Sequence, residues 1–486
     1  MTFLGIDLGT SSVKLVLMDQ SGTILKTHSR DYPLSMPHTG WSEQAPEDWW
    51  ANTCQGIREL LADQNAAELA GISFGGQMHG LVILDSNDQV IRPAILWNDG
   101  RTEQETAYLN QEIGKKKLAQ YTANIAFAGF TAPKLLWVRQ NEPENFGRIA
   151  KIMLPKDYIA YKMSGVHCCD YSDASGMLLL DVENKRWSPE MLEICGVTEG
   201  QLPKLFESYE VVGTLLPSIA KELGLSEQVK VIAGAGDNAA AAVGTGTVKN
   251  GACNISIGTS GTVFISSDAF SLPDNNAIHA FAHATGGYHL MGCILSAASC
   301  NKWWMDDVLR AADYAAEQKD FVPNGTNEVL YAPYLMGERT PHNDAGARGA
   351  FVNLSMNTTR AMMTQAILEG VAYAFRDTVE IAKSLGVTIE RTKICGGGAK
   401  SPIWRQIIAD VLRLPVDSIA TEEGPGLGAA MLAAVGCGVY KSVEEIAEAM
   451  VQVTGTVEPN PEASARYDEG YAKFKRLYPA LKTVLS

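Results

Sequence analysis

Short apolar runs that alternate with glycine-rich turns run through the first part of the chain and predict an α/β fold. Residues 3–18 have the pattern of strand, turn and strand, and residues 23–26 that of a third strand. A helix follows, with Pro46 in its first turn, acids directly after it and a periodic apolar face as far as Leu61. The pattern therefore predicts a strand meander that leads into a helix.

The pattern of the first half returns in the second half. The residues Leu8-Gly9-Thr10-Ser11 are echoed by Ile257-Gly258-Thr259-Ser260, and Ile72–Gly76 is echoed by Lys393–Gly397. We interpret this as the duplication of one α/β domain, with the boundary between residues 245 and 252. The predicted domains are residues 1–246 and 247–486. No low-complexity linker separates them, so we expect them to pack tightly around a central cleft.

One acid stands alone on a turn between a strand and a helix near the middle of the chain. The sequence VIAGAGDNAAAA from Val231 begins as a β-branched run, breaks at two glycines, and continues from Asp237 and Asn238 into an alanine-rich helix. Asp237 is either the N-cap of this helix or a carboxylate that faces a ligand. The glycines before it favour the second interpretation. We expect this carboxylate to be ionised at neutral pH, because a helix N-terminus favours negative charge.

Composition limits the partners of the protein. The chain has 486 residues and a net charge of −15, which disfavours nucleic acids and anionic membranes. No run of 18 uninterrupted apolar residues is present, and the N-terminus lacks the pattern of a signal peptide. Nine scattered cysteines without a CxxC pair indicate reduced thiols and a cytoplasmic location. The oligomeric state stays open, with a homodimer as one option.

Two Gly-Thr-Ser hairpins, one in each half, predict a pair of phosphate clamps. Backbone N–H groups in a glycine-rich turn bind anions, and the hydroxyl groups of Thr10, Ser11 and Thr259 add donors beside Gly258. Asp7, just before the first hairpin, is suited to hold Mg²⁺ through water. Lys14 on the return strand is placed to reach a phosphate. The alternative is that both are ordinary tight hairpins. A P-loop is excluded, because the chain has no G-x-x-x-x-G-K-[ST] sequence.

A second glycine-rich stretch, residues 75–80, predicts a sugar site. We expect its glycines to leave Gln77, Met78 and His79 open to a cleft, where a polar ligand needs donors and acceptors. The alternative for His79 is a structural role. Trp41, Trp97 and Asp99 are candidates for a further wall, although core positions are favoured narrowly for the tryptophans.

The residues Gly71–Gly75 also match the hydrolase elbow G-x-S-x-G around Ser73. An elbow needs a helix directly after the serine, whereas a strand-like run follows here. We therefore interpret Ser73 as a strand residue.

These features together resemble the FGGY family of carbohydrate kinases over nearly the whole chain. The matching stretches occur in the family's order: the first phosphate motif at 5–11, the first signature GFTAPKLLWVRQN at 129–141, the acid at 236–238, the second phosphate motif at 257–261 and the adenosine motif at 396–399. One departure is Asn353, which stands in the second signature where a glycine is usual.

The resemblance implies two ribonuclease-H-like domains of the sugar kinase, hexokinase and actin fold. It implies ATP-dependent phosphorylation of D-xylulose at O5, with Asp237 as the general base and Asp7 organising Mg²⁺ and phosphate. The implied sugar-binding and nucleotide-binding residues are Met78, His79, Asp237 and Asn238, and Thr10, Ser11, Lys14, Gly258, Thr259 and Gly398. The alternatives left open are a kinase for another substrate, such as ribulose or gluconate, and an actin-like ATPase or sugar-sensing module.

Overall fold

The computed structural model describes residues 1–311, 313–420 and 423–485. Its framework consists of two seven-stranded sheets, one in each half of the chain. Helices cover both sheets, which confirms the predicted α/β fold. No helix in the described ranges is long and apolar enough to cross a lipid bilayer.

The first half contains fifteen strands and ten α-helices. The strands are β1 Thr2–Leu8, β2 Ser12–Asp19, β3 Ile24–Asp31, β4 Glu43–Gln44, β5 Leu69–Gly76, β6 Val82–Leu84, β7 Ala94–Ile95, β8 Lys151–Met153, β9 Cys168–Asp170, β10 Leu180–Asp181, β11 Arg186–Trp187, β12 Lys204–Phe206, β13 Val211–Thr214, β14 Lys230–Ile232 and β15 Ala235–Gly236. The helices are α1 Pro46–Leu61, α2 Glu103–Tyr108, α3 Lys115–Thr122, α4 Thr131–Asn141, α5 Pro143–Gly147, α6 Pro155–Ser164, α7 Tyr171–Ala174, α8 Pro189–Cys195, α9 Pro217–Leu223 and α10 Asp237–Gly244.

The described part of the second half contains nine strands and eight α-helices. The strands are β16 Cys253–Ile257, β17 Gly261–Ser267, β18 His279–Ala282, β19 Tyr288–Ile294, β20 Leu330–Ala332, β21 Ala350–Val352, β22 Thr392–Cys395, β23 Val416–Ile419 and β24 Val453–Val457. The helices are α11 Ala298–Lys302, α12 Tyr314–Gln318, α13 Arg360–Ser384, α14 Pro402–Leu412, α15 Pro425–Gly436, α16 Val443–Met450, α17 Pro461–Phe474 and α18 Leu477–Leu485.

The two large sheets share one topology. In the first sheet, β1, β2 and β3 form an antiparallel meander, and β5 and β14 continue the sheet on the other side of β1 as parallel strands. In the second sheet, β16, β17 and β19 form the same meander, and β22 and β23 are the parallel strands beside β16. The sequence echo therefore reflects a repeated fold, since the echoed segments occupy equivalent strands.

Local turn and cap residues fix the element ends where the sequence predicted them. Helix α1 begins at Pro46, and α8 begins after Ser188, whose hydroxyl accepts a hydrogen bond from the Met191 N–H. Asn353, which replaces the usual glycine, has a φ of 69°. Asparagine tolerates this left-handed backbone better than most other residues, so the local turn persists without glycine.

Helix α15 from the second half packs against β1 and α10 from the first half. A Cβ atom added at Gly5 of β1 would lie 2.0 Å from the Gly426 carbonyl oxygen, and one at Gly428 would lie 1.8 Å from the Ala240 carbonyl oxygen. Real Cβ atoms do not approach backbone so closely, so glycine is required at both positions. The glycines of 424–428 thus serve helix packing.

We predict that Gly5→Ala destabilises the protein by about 3 kcal/mol or more, because α15 would have to move off the sheet. Gly455→Ala is the matched control, since nothing lies within 4 Å of a Cβ atom added to this exposed strand glycine. Urea unfolding of both variants measures the difference. Equal stability of the two variants would contradict the proposed backbone contact.

Candidate active site

Asp237 is the first residue of α10, and Gly236 is the N-cap residue. The preceding glycines let the strand approach its neighbours closely. Gly234 has a φ of 78°, and a Cβ atom there would lie 2.3 Å from the Phe74 carbonyl oxygen. A Cβ atom at Gly236 would lie 2.9 Å from the Met78 Sδ. The bare turn before Asp237 is therefore needed for packing against β5 and Met78.

The Asp237 carboxylate is held on one side only. Its Oδ1 accepts hydrogen bonds from the Asn238 backbone N–H at 2.7 Å and from the Asn238 Nδ2 at 2.9 Å. No hydrogen bond to Oδ2 is found among the described residues, and the N-cap position of α10 belongs to Gly236 rather than to Asp237. The N-cap interpretation is therefore wrong, and one oxygen stays available to a ligand.

Met78 joins this group. The Asn238 Nδ2 lies 3.9 Å from the Met78 Sδ. Met78 is buried, with an exposed fraction of 4%. The structure thus brings Met78, Asp237 and Asn238 together, as the sequence predicted.

Burial shapes the charge of the two central acids. Burial raises the pKa of Asp237 from 3.8 to about 6, against the lowering effect of its hydrogen bonds with Asn238. Burial also raises the pKa of Asp7 to about 7, and the charge of Asp237 adds to this rise. A pKa of about 6 agrees with the expectation that Asp237 is ionised at neutral pH, although the expectation did not foresee that burial raises this pKa.

Asp7 lies on β1 opposite Lys14 of β2. The Lys14 charge lowers the pKa of Asp7, and the Glu423 charge raises it. Lys14 itself forms a salt bridge with Glu423 at 2.6 Å, so its predicted contact with a phosphate requires this pair to open. Among the described residues, no hydrogen bond to the Asp7 carboxylate is found. The carboxylate is consequently available to a hydrated cation.

The first hairpin is present between β1 and β2, and glutamine side chains brace it. The Gly9 N–H donates to the Ser12 carbonyl oxygen at 3.0 Å. Gln44 donates to the Thr10 carbonyl oxygen at 2.6 Å, and Gln77 donates to the Gly9 carbonyl oxygen at 3.3 Å. Sequence reasoning missed Gln44, because a glutamine ahead of a helix carries no recognisable signal.

Three expectations about the cleft wall are wrong. Gln77 is buried at 3% exposure and supports the hairpin, so it is not open to a cleft. Trp97 is 47% exposed rather than a core residue, and its indole N–H donates to the Thr10 Oγ1 at 2.9 Å. Asp99 is buried and pairs with Arg101 at 2.7 Å, so it anchors a loop instead of lining a wall.

The glycines of residues 75–80 serve close packing instead of exposing their neighbours. A Cβ atom at Gly76 would lie 2.7 Å from the Lys156 Cβ, and one at Gly80 would lie 2.6 Å from the Pro155 Cγ. Both contacts are made with helix α6. The prediction that these glycines bare the side chains beside them is therefore wrong in its mechanism, although His79 remains partly accessible.

His79 is fixed in one tautomer. Its Nδ1 lies 2.8 Å from the Gly176 carbonyl oxygen, which can only accept, so Nδ1 carries the proton and Nε2 is an acceptor. Burial and the charge of Lys134 lower the pKa of His79 to about 3, so the ring is neutral. Its ring packs on Phe130 at a centroid distance of 4.6 Å. No hydrogen bond to His79 Nε2 is found among the described residues, so this nitrogen of the neutral ring is suited to accept a hydrogen bond from a hydroxyl group.

The backbone of His79 is also held in place. Its φ is 71°, which is unusual for a residue with a side chain. The Lys134 Nζ donates to the His79 carbonyl oxygen at 2.8 Å, and the Thr131 hydroxyl donates to the same oxygen at 3.0 Å. Both donors lie in α4, within the signature GFTAPKLLWVRQN. The structure thereby gives a physical role to the buried Lys134.

The second hairpin joins β16 and β17, and its Thr259 is exposed. The Gly258 carbonyl oxygen accepts the Ala298 N–H at 2.9 Å. Gly398 packs against the strand before this hairpin, because a Cβ atom there would lie 2.5 Å from the Ile257 Cγ2. A cavity of about 280 Å³ opens beside Gly396, Gly397 and Ala399. The structure therefore places Gly398 beside the strand that leads into the second hairpin, and the cavity opens at the residues on both sides of Gly398.

The hydrolase alternative fails. Ser73 lies inside β5 with an exposed fraction of 0%, and the strand continues to Gly76. A nucleophilic serine needs an exposed position on a strand-to-helix turn.

The repeated sheet topology is that of a two-domain α/β fold, and the comparisons with known proteins identify it as the fold of sugar kinases. The family description of the N-terminal domain of FGGY carbohydrate kinases matches residues 2–244, and that of the C-terminal domain matches residues 253–437. The chain belongs to the FGGY family of carbohydrate kinases. Kinases of this family use ATP and a carbohydrate as substrates.

Several relatives are similar over their whole length. The chain is 39% identical to a xylulose kinase of Escherichia coli, with 100% of both chains covered, and 38% identical to one of Bacillus subtilis, with 99% and 97% covered. Among solved structures, a xyloylose kinase from Brucella ovis has a TM-score of 0.95 at 40% identity, with both chains fully covered. A gluconate kinase from Lactobacillus acidophilus has a TM-score of 0.93 at 25% identity, with 99% and 98% covered.

We predict that Asp237→Asn has a higher free energy of unfolding than the wild type at pH 8, and that this gain is smaller at pH 4.5. Folding raises the pKa of Asp237 from 3.8 to about 6, so the folded state binds the proton more tightly than the unfolded state. The free energy of unfolding of the wild type therefore falls as the pH rises from about 4 to about 6. The variant cannot ionise, and its gain at pH 8 should be on the order of 1 kcal/mol. Urea unfolding at both pH values measures it, and a pH-independent difference would contradict the shift.

Proposed function

We propose that the protein transfers the γ-phosphoryl group of ATP to O5 of D-xylulose and forms D-xylulose 5-phosphate. The observation that carries this proposal is the full-length likeness, at 38–39% identity, to curated proteins named xylulose kinase. The grouping of Met78, Asp237 and Asn238 supports it, because a sugar hydroxyl needs an acceptor beside it.

Asp237 acts as the general base in this proposal. Asn238 holds Oδ1, which leaves Oδ2 to accept the proton of the attacking hydroxyl. A pKa of about 6 leaves the carboxylate mostly ionised at neutral pH and still basic enough to take a proton. In a loose phosphoryl-transfer transition state the hydroxyl loses its proton late, so the position of Oδ2 matters as much as its basicity.

The remaining sugar contacts come from Met78 and His79. The neutral His79 ring offers Nε2 as an acceptor, and Met78 lies between the His79 loop and the Asp237 turn. Gly176 touches both, since a Cβ atom there would lie 2.4 Å from the His79 Nδ1 and 3.2 Å from the Met78 Cε. We infer that these side chains orient the sugar so that one hydroxyl faces Asp237.

Asp7 fits a role at hydrated Mg²⁺. Its carboxylate has no hydrogen-bond partner among the described residues, and no group of three His, Cys, Asp or Glu side chains able to hold a metal is found there. Mg²⁺ binds through one or two carboxylates together with waters and substrate phosphates, so a single acid is enough. When bound, the ion would neutralise charge on the transferred phosphoryl group.

The nucleotide contacts follow from the two hairpins. Thr10, Ser11 and Lys14 on the first and Gly258 and Thr259 on the second would bind phosphate oxygens through N–H, hydroxyl and ammonium groups. Gly398, beside the cavity of about 280 Å³, would contact the adenosine.

The remaining assignments are part of the same proposal. The sugar and phosphate side is residues 1–246 and the nucleotide side is residues 247–486. All nine cysteines are free, which supports a cytoplasmic location. A homodimer remains a prediction, and the molar mass in solution measures it.

A coupled assay of ADP release across D-xylulose, D-ribulose, D-gluconate and polyols tests the substrate. We expect the highest kcat/KM with D-xylulose, by at least about tenfold, because polar groups left unpaired by a wrong substrate are penalised. A preference for gluconate or ribulose would refute D-xylulose as the substrate but leave the carbohydrate kinase activity supported. ADP release without any sugar dependence would favour the ATPase alternative.

We predict that Asp237→Asn lowers kcat by about 10²- to 10⁴-fold, because the amide keeps the shape but cannot accept a proton. In the wild type, kcat/KM should fall with decreasing pH through about 6, the pKa of the free base. Steady-state kinetics between pH 5 and 9 measure both. Near-normal turnover of the variant would refute the catalytic role of Asp237.

A further inference from the structure

A buried chain of polar side chains leads to the backbone directly before Asp237. The Gly236 N–H donates to the Ser172 Oγ at 3.1 Å. The Ser172 hydroxyl in turn donates to the Asp170 Oδ2. The Asp170 Oδ1 lies 2.9 Å from the Lys156 Nζ. The three side chains have exposed fractions of 0%, so water does not compete for these contacts.

The donors and acceptors in this series of hydrogen bonds fix which group donates at each step. Lys156 can only donate, and the Asp170 carboxyl oxygens lie within reach of Lys156 on one side and of the Ser172 hydroxyl on the other. Ser172 has one hydroxyl proton, which goes to Asp170. A lone pair of its oxygen is therefore left for the Gly236 N–H. Every group in the series has one role, so the Gly236 backbone has a single favoured position.

The same segment holds the sugar side of the site. Asp170 is the N-cap residue of α7, and four residues after Ser172 the Gly176 carbonyl oxygen accepts the His79 Nδ1 proton at 2.8 Å. One stretch, residues 170–177, thus contacts both the turn before Asp237 and the ring of His79. A fixed distance between these contacts sets where a sugar lies relative to the acid.

We propose that Ser172, anchored by Asp170 and Lys156, is a positioning residue that holds Gly236 and thereby aims the Asp237 carboxylate at the sugar hydroxyl. This inference rests on the proposed function, because it takes Asp237 as the base. The side chains of Ser172, Asp170 and Lys156 are fully buried, so Ser172 acts on the rate only through the backbone of Gly236.

Ser172→Ala tests the proposal, and Ser208→Ala is its matched control. The Ser208 hydroxyl donates to the same Asp170 Oδ2 at 2.8 Å and is equally buried, but its side chain has no hydrogen bond to Gly236. Both variants lose one hydrogen bond to Asp170. Only Ser172→Ala also leaves the Gly236 N–H without its acceptor.

We expect Ser172→Ala to lower kcat by about tenfold or more, because small misplacements of a catalytic group are costly in rate. The KM for the sugar should change by less than about twofold, since the sugar contacts stay in place. The acid limb of kcat/KM should move below about 6, as a looser turn admits water to Asp237. Ser208→Ala should keep kcat within about twofold of the wild type.

Equal losses of kcat in the two alanine variants, or a normal kcat and pH profile in Ser172→Ala, would overturn the proposal. If Ser172→Ala does not fold, Ser172→Cys replaces it, since a thiol keeps the size but accepts weakly. A wild-type kcat and pH profile of this variant would equally overturn the proposal. Asp237→Asn distinguishes failure of the proposed function from failure of the positioning role. Normal turnover of Asp237→Asn refutes Asp237 as the base. An inactive Asp237→Asn together with a normal Ser172→Ala refutes only the positioning role of Ser172.

Discussion

The backbone-to-backbone approach of helix α15 to β1 and α10 is the constraint on which the site depends. Gly5, Gly244, Gly426 and Gly428 have no space for side chains, because each would place a Cβ atom on a neighbouring backbone or side chain. A Cβ atom at Gly426 would lie 3.7 Å from the Asp7 Cβ, so the same contact surrounds the first acid. Helix α10 carries Asp237 at its start. Close packing of two glycine-bearing helices thereby fixes both acids relative to the sheet.

This packing also explains the electrostatics. Both carboxylates lose hydration in a partly closed region, which raises the pKa of both, and the charge of Asp237 raises the pKa of Asp7 further. A fold selected only for stability would not keep this pair. The ionised form of each acid is therefore unfavourable in this site. A cation would stabilise ionised Asp7, and a proton from a sugar hydroxyl would neutralise Asp237. The destabilised acids and the proposed chemistry are therefore two aspects of one arrangement.

The strand meander, the duplication, the position of Asp237 before a helix and the two hairpins could be predicted from the sequence, because period, glycine and cap signals are local. The surroundings of those residues could not. Gln44 and Gln77 brace the first hairpin from distant parts of the chain, and Gly76 and Gly80 pack against helix α6. Long-range contacts of this kind leave no periodic trace. The exposed position of Trp97 could not be predicted for the same reason, since its partner Thr10 lies 87 residues away in the sequence.

The choice of sugar rests on a smaller set of contacts than the fold does. A gluconate kinase has the same fold at a TM-score of 0.93, so the sheets and helices do not decide the substrate. The loop of His79 is held by Lys134 and Thr131 of α4 and by Gly176. The Lys134 Nζ donates to the backbone carbonyl oxygens of His79 and Gly129, so it fixes the backbone of this loop. Substrate preference can therefore change through α4 while the acids and hairpins stay in place.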